Sequence, residues 1–201
     1  WANDLFQALV SPLLHTLSSQ EGLIATQVTS PVFTPLKLAA DAAILLSAPI
    51  ALFQFWRFIS PGLYRREQTT LRIALIFSLL LFLAGVLFCF YLVLPFMFHF
   101  FAHALPKGVR YMPDMTYALD FITRMLMIFG LCFQVPLICF VLVRLKIIEV
   151  MTLKKIRPYV IVAAFIVGML LTPPDVFSQI ILAVPLCLLY EAGIILAIYL
   201  I

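Results

Sequence analysis

Residues 73–98 read IALIFSLLLFLAGVLFCFYLVLPFMF, with no charged side chain. A helix of that length rises about 39 Å, enough to cross a hydrocarbon core of about 30 Å with some tilt. Inside a soluble domain such a helix would need burial on every side, and a chain of 201 residues has little interior to offer. The rest of the sequence has the same character: 65% of it is hydrophobic, 11% is charged and the mean hydropathy is +1.15. These values define an all-α integral membrane protein that uses lipid as solvent.

Working outward from that stretch, four more apolar segments are expected to span. The first covers about 38–56, with Asp41 near its start and Arg57 closing it. Another covers about 119–143, with Asp120 and Arg124 in its opening turns; their spacing predicts that they pair with each other near the outer interface. The last two, 158–172 and 176–201, are separated only by Pro173, Pro174 and Asp175. They are short. The fifteen residues of 158–172 rise only about 22 Å, and Val176–Tyr190 gives fifteen uncharged residues before Glu191 interrupts. Short final spans predict a locally thinned bilayer or shielding by other helices.

Basic residues set the orientation. Nine of the thirteen Lys and Arg lie at 57–72 and 144–157, whereas the loop around Pro106 holds only Lys107 and Arg110. The positive-inside rule places those two basic segments in the cytoplasm, residue 1 outside and residue 201 inside. Residues 1–36 read as an external segment within a single transmembrane domain of 1–201. Asn3-Asp4 caps a short amphipathic helix bearing Leu5, Phe6, Leu9, Val10, Leu13 and Leu14, bent by Pro12. Residues 18–35 are expected to be extended, because Pro31 and Pro35 oppose a helix. Trp1 stands where an initiator Met is absent, so a preceding segment is expected.

Several polar and proline positions invite a chemical reading. Pro49, Pro95, Pro136 and Pro185 lie inside spans, where they either curve helices around a concave face or mark a broken-helix transport site. Gln134, in Phe133-Gln134-Val135-Pro136, needs a partner at mid-membrane, in an interhelical hydrogen bond or a polar niche. Glu191 is a second polar intramembrane residue. His99 and His103 share one helix face but have no acid or cysteine nearby, so no metal is expected. Cys89, Cys132, Cys139 and Cys187 stand singly and suggest neither a zinc site nor a disulfide framework. Enzyme, nucleotide and dinucleotide motifs are absent, so neither an enzymatic activity nor a cofactor is expected. Glu67, beside Arg65 and Arg66 in a cytoplasmic loop, is either a solvated charge or a carboxylate placed to bind a guanidinium bidentately.

The run Phe53-Gln54-Phe55-Trp56-Arg57-Phe58-Ile59-Ser60-Pro61-Gly62-Leu63-Tyr64-Arg65-Arg66-Glu67 resembles the first cytoplasmic loop of the TatC family. Ser30-Pro31-Val32-Phe33-Thr34-Pro35-Leu36-Lys37 is similar to the approach to the preceding span. Arg157-Pro158-Tyr159-Val160, Gly168-Met169-Leu170-Leu171-Thr172-Pro173-Pro174-Asp175 and Tyr190-Glu191 extend the likeness to the last two spans.

The resemblance implies a glove-shaped six-helix receptor of a bacterial inner membrane, of which this chain carries the last five helices. Such a receptor binds twin-arginine signal peptides of folded cargo on the cytoplasmic side, and transport uses the proton-motive force. It forms a hetero-oligomer of several copies with single-span partner subunits of the TatA and TatB type, and it binds no nucleic acid. Glu67 matches the acid that receives the twin arginines, with Phe58 and Arg66 beside it in the signal-peptide site. Met169, Thr172 and Gln179 match a polar patch where partner helices dock. Two departures stand out: the family's first helix is not in this chain, and Gln134 stands where many relatives have a glutamate that can titrate. The competing reading, a small-solute transporter or channel built from proline-kinked helices, predicts convergent midplane charges and internal symmetry, and neither is visible.

Overall fold

The computed structural model describes residues 2–14, 23–26, 29–59, 68–104, 112–172 and 176–199. Almost all of them are helical: α1 (Ala2–Leu14), α2 (Ser30–Ile59), α3 (Gln68–Phe88), a π-helical turn (Cys89–Val93), α4 (Leu94–His103), α5 (Met115–Cys132), α6 (Val135–Arg144), α7 (Val150–Leu171) and α8 (Val176–Tyr199). Phe33–Phe55, Leu75–His103, Met115–Arg144 and Val176–Tyr199 are each long and apolar enough to cross a membrane. With the 22-residue α7, which contains the expected fourth span, they make up an all-helical integral membrane protein.

Two expectations need correction. Helix α2 begins at Ser30, so residues 30–35 are helical rather than extended. Pro31 falls in the first turn, whose backbone donors have no intrahelical acceptor in any helix, and Pro35 removes only one further bond. The first helical bond runs from Phe33 N–H to the Thr29 carbonyl at 3.0 Å. Second, Asp120 pairs with Lys37 of α2, at 2.6 Å, rather than with Arg124 on its own helix. The uncharged stretches 158–171 and 176–190 lie within helices of 22 and 24 residues. Pro158 lies inside α7 without ending it, and the basic residues before it form the first turns of that helix.

Prolines account for the interruptions in two other spans. Pro95 cannot donate to the Tyr91 carbonyl, and the chain before it widens into the π turn, where Leu94 N–H bonds to the Cys89 carbonyl five residues back. The ring of Pro136 opposes the carbonyl of Cys132, and α5 ends at that residue; α6 restarts with Ile138 N–H on the Gln134 carbonyl at 2.9 Å. Helices α2 and α8 run through Pro49 and Pro185 uninterrupted.

The residues fall into two compact units, 1–48 with 86–128, and 49–85 with 129–201. In the first, α1 packs on α4 and buries Val10 and Leu13 completely. Helix α1 continues through Pro12. Phe121 sets its ring against Phe98 and Phe101. Helices α2 and α5 meet along a polar seam. The hydroxyls of Thr34 and Thr116 lie 3.2 Å apart, Lys37 holds Asp120, and the Thr123 hydroxyl lies 3.2 Å from Asp41. In the second unit α8 packs against both α6 and α7, around Cys139, Val143, Leu153, Tyr190, Ile194 and Ala197. Gly193 permits that approach, since a Cβ there would stand 2.9 Å from the Pro136 Cα.

Asp114 closes the outer end of α5. One carboxylate oxygen accepts the N–H groups of Thr116 and Tyr117, at 2.8 and 3.3 Å, as an N-cap. The other accepts the Thr26 hydroxyl and N–H, at 2.6 and 3.0 Å, and so ties residues 23–26 to the helix. The Thr26 hydroxyl bond, with the backbone donors, lowers the Asp114 pKa from 3.8 to about 2. A lowered pKa means that the stabilisation is complete above about pH 4 and is lost as pH falls toward 2. Asp114→Ala should cost about 1 kcal/mol at neutral pH and should flatten that acid limb. Thermal unfolding of the two proteins in detergent, followed from neutral to acid pH, measures both effects.

Candidate functional site

Gln134 lies in the break between α5 and α6 and is 3% exposed. Its side chain faces Ser78 of α3, also buried, in a reciprocal clasp. Ser78 Oγ donates to Gln134 Oε1 at 2.8 Å, and Gln134 Nε2 donates to the Ser78 carbonyl at 2.8 Å. The chemistry fixes the amide orientation, because a carbonyl can only accept. The clasp needs close helices, and two glycines provide them. A Cβ on Gly85 would stand 2.8 Å from the Phe129 carbonyl oxygen, and one on Gly130 would stand 2.6 Å from the Phe82 ring. Of the two uses expected for Gln134, the structure has the interhelical hydrogen bond.

The second polar group joins α7 and α8. Arg157 Nη2 meets Glu191 Oε2 at 2.6 Å, both side chains being about two-fifths exposed. One turn below, the Tyr190 hydroxyl donates to the Leu153 carbonyl at 2.8 Å. The charge that interrupts the last span is therefore matched by a neighbouring helix, at the end of α7 that carries Lys154 and Lys155. An apolar cleft of about 290 Å³ leads away from the pair, between Ile161 and Phe165 of α7 and Val184 and Leu188 of α8.

The three expected docking residues lie farther along these two helices. A Cβ on Gly168 would stand 3.5 Å from the Gln179 backbone, so Gln179 passes close to the turn of α7 that bears Met169 and Thr172. Met169 is exposed. Thr172 is buried, its hydroxyl donating to the Gly168 carbonyl at 2.9 Å. Gln179 is half-buried and makes no hydrogen bond among the described residues. Met169 and Gln179 therefore present a surface, whereas Thr172 is satisfied by its own helix.

Glu67 and Arg66 lie outside the described residues, and Phe58 falls in the last turn of α2 with its side chain outside them. His103 Nδ1 donates to the His99 carbonyl at 2.8 Å, and the two rings stack at 4.1 Å. Among the described residues no three metal-ligating side chains come together. All four cysteines are free thiols. Sequence reasoning missed Ser78, Asp114 and the α2/α5 seam. Ser78 had one available signal, as the sole hydroxyl in residues 73–90.

A thermodynamic cycle tests the clasp. Gln134→Leu removes both bonds of the clasp and should destabilise by about 1–3 kcal/mol. Ser78→Ala should cost less, and the coupling should fall near 0.6–1.7 kcal/mol, as for other interhelical bonds in membranes, at roughly that size. Gln134→Glu keeps the Ser78 hydroxyl bond but presents an oxygen to the Ser78 carbonyl unless it carries a proton. Additive losses in detergent unfolding would show that the two side chains do not work as a unit.

The TatC family, described as Sec-independent protein translocase protein (TatC), matches residues 1–185. The Sec-independent protein translocase protein TatC of Haemophilus influenzae is 44% identical over 197 residues, covering 98% of this chain and 77% of that protein. The TatC protein of Escherichia coli K12 is 43% identical over 194 residues, covering 96% of this chain and 75% of that protein. A crystal structure of the twin arginine translocase receptor TatC superposes with a TM-score of 0.85 at 33% identity, covering 98% of this chain and 86% of that one. Relatives this similar, over this much of their length, show the family: the chain belongs to the TatC family of Sec-independent protein translocase proteins.

Proposed function

We propose that this chain is the receptor subunit of a twin-arginine translocase in a bacterial cytoplasmic membrane. It binds twin-arginine signal peptides at its cytoplasmic face and takes part in moving folded proteins across the bilayer, drawing on the proton-motive force. Membership of the TatC family, whose model matches residues 1–185, carries this reading. The basic loops at 57–72 and 144–157 support the orientation, with the signal-reading face in the cytoplasm. A small-solute transporter is not favoured, since the intramembrane polar groups pair across helices instead of converging on one midplane site.

Glu67 is the proposed receiver of the twin arginines, with Phe58 and Arg66 beside it. A carboxylate offers two oxygens in the geometry of a guanidinium fork, so the contact is both strong and directional. Single-span partners of the TatA and TatB type are proposed to dock on α7 and α8 at Met169, Thr172 and Gln179. There the amide of Gln179, which makes no hydrogen bond among the described residues, can bond across an interface.

Glu67→Gln should weaken binding of a twin-arginine peptide to the full-length protein by about 1.5–3 kcal/mol, with membrane insertion intact. Peptide titration into purified protein measures it, and unchanged affinity would leave Glu67 a solvated loop charge. Gln179→Leu should reduce co-purification of the single-span partners, by a contact of roughly 0.6–1.7 kcal/mol, while peptide binding persists. Loss of both activities together would point to a general folding defect.

A further inference from the structure

The seam between α2 and α5 leaves two opposite charges unmatched. Lys37 and Asp120 neutralise each other, at 2.6 and 2.7 Å. One turn deeper, Arg124 is exposed and makes no hydrogen bond or ion pair among the described residues. Asp41, half-buried, has among the described residues only the Thr123 hydroxyl, at 3.2 Å, which also lies 2.9 Å from the Leu119 carbonyl. Asp41 and Arg124 line one cleft of about 230 Å³, together with Thr123, Ile44, Met127 and Ile128. They share the cleft without touching, so it has room for a group that bears both complementary charges.

The order of the lining residues says what that group is. Helices α2 and α5 both run inward from the outer face, so Asp41 and Arg124 lie toward the outside and Ile44, Met127 and Ile128 toward the midplane. A ligand that fits has an anion and a cation side by side at its outer end and an apolar chain below. We propose that the cleft binds an ethanolamine phospholipid of the outer leaflet. Its phosphate lies on the Arg124 guanidinium, which forms hydrogen-bonded forks with phosphate oxygens. Its ammonium lies on the Asp41 carboxylate, and an acyl chain covers Ile44, Met127 and Ile128.

The lipid resolves a difficulty that the protein leaves open. Arg124 is nine residues beyond Met115, about 14 Å along the helix, and an unpaired guanidinium facing lipid draws headgroups and water toward it. A headgroup held at that depth sits below its neighbours and thins the outer leaflet beside α2 and α5. The site is independent of the signal-peptide reading, because it uses neither the cytoplasmic loops nor α7 and α8.

Native mass spectrometry of the purified full-length protein, titrated with phosphatidylethanolamine or phosphatidylglycerol of matched chains, tests the assignment. The unmodified protein should retain phosphatidylethanolamine at least several-fold better. Asp41→Asn should erase that preference, Arg124→Gln should weaken both lipids, and Arg124→Lys should restore phosphate binding if the Gln variant has merely lost its charge. Equal retention of the two lipids by the unmodified protein, or retention indifferent to Arg124→Gln, would overturn the proposal in favour of unspecific boundary lipid. A photo-crosslinking residue at Met127, in membranes containing the assembled complex, should yield a lipid-sized adduct. A polypeptide adduct there would overturn it by showing that a partner helix covers the cleft.

Discussion

Hydrocarbon offers no hydrogen bonds, so polar side chains carried into the membrane must find partners within the protein or bring water and headgroups with them. Much of this fold follows from that constraint. Gln134 takes both an acceptor and a donor bond from one serine of α3. Lys37 and Asp120 join α2 to α5, and Arg157 and Glu191 join α7 to α8. The Tyr190 hydroxyl closes on the carbonyl of Leu153. Each of these contacts connects two helices. Apolar packing alone discriminates weakly among helix pairs in lipid, because the tails are as apolar as leucine. The polar contacts select which pairs form and in what register.

Prolines and glycines make those contacts reachable. The break at Phe133-Gln134 exists because Pro136 opposes continuation from Cys132, and it turns the Gln134 amide toward Ser78. Gly85 and Gly130 remove the side chains that would hold the helices apart. The clasp is thus a joint product of a proline, two glycines and an amide, and losing any one of them compromises the rest. The reciprocal pairing also bears on whether this position could titrate. An ionised carboxylate cannot donate to the Ser78 carbonyl, whereas an amide does so at any pH. In this chain the residue joins helices and cannot serve as a proton carrier.

The class of fold was legible because span length and hydropathy are local properties. Helix starts were less legible. Pro31 and Pro35 read as barriers, yet Pro31 sits in a first turn with no backbone bond to break, and Pro35 removes only one. Pairing partners were hardest. Asp120 and Arg124 are neighbours along α5, but Lys37, 83 residues away in sequence, reaches the carboxylate first. The same distance hid the partner of Gln134, since nothing in Phe133-Gln134-Val135-Pro136 names Ser78. Asp114 was missed because its cap role depends on where α5 begins. The proposed signal-peptide role of the Glu67 loop rests on family resemblance, as Glu67 alone is a common surface acid.

The proposed docking face on α7 and α8 has a thermodynamic logic of its own. Helix α8 carries both Gln179 and Glu191, with roughly three turns of apolar residues between them. Glu191 is satisfied by Arg157, and Thr172 by the carbonyl four residues before it. Gln179 makes no hydrogen bond among the described residues, and its amide has no hydrogen-bonding solvent where it faces lipid. A single-span helix with one polar group at the matching depth would gain a bond there that lipid cannot supply, of order 1 kcal/mol. That gain is small beside the packing of a whole helix, so it contributes little to affinity. Its effect is on register, since sliding the partner by one turn forfeits the bond while leaving the apolar contact nearly unchanged. The Arg157–Glu191 pair keeps α7 and α8 aligned at their cytoplasmic ends, so the surface that reads the register stays fixed.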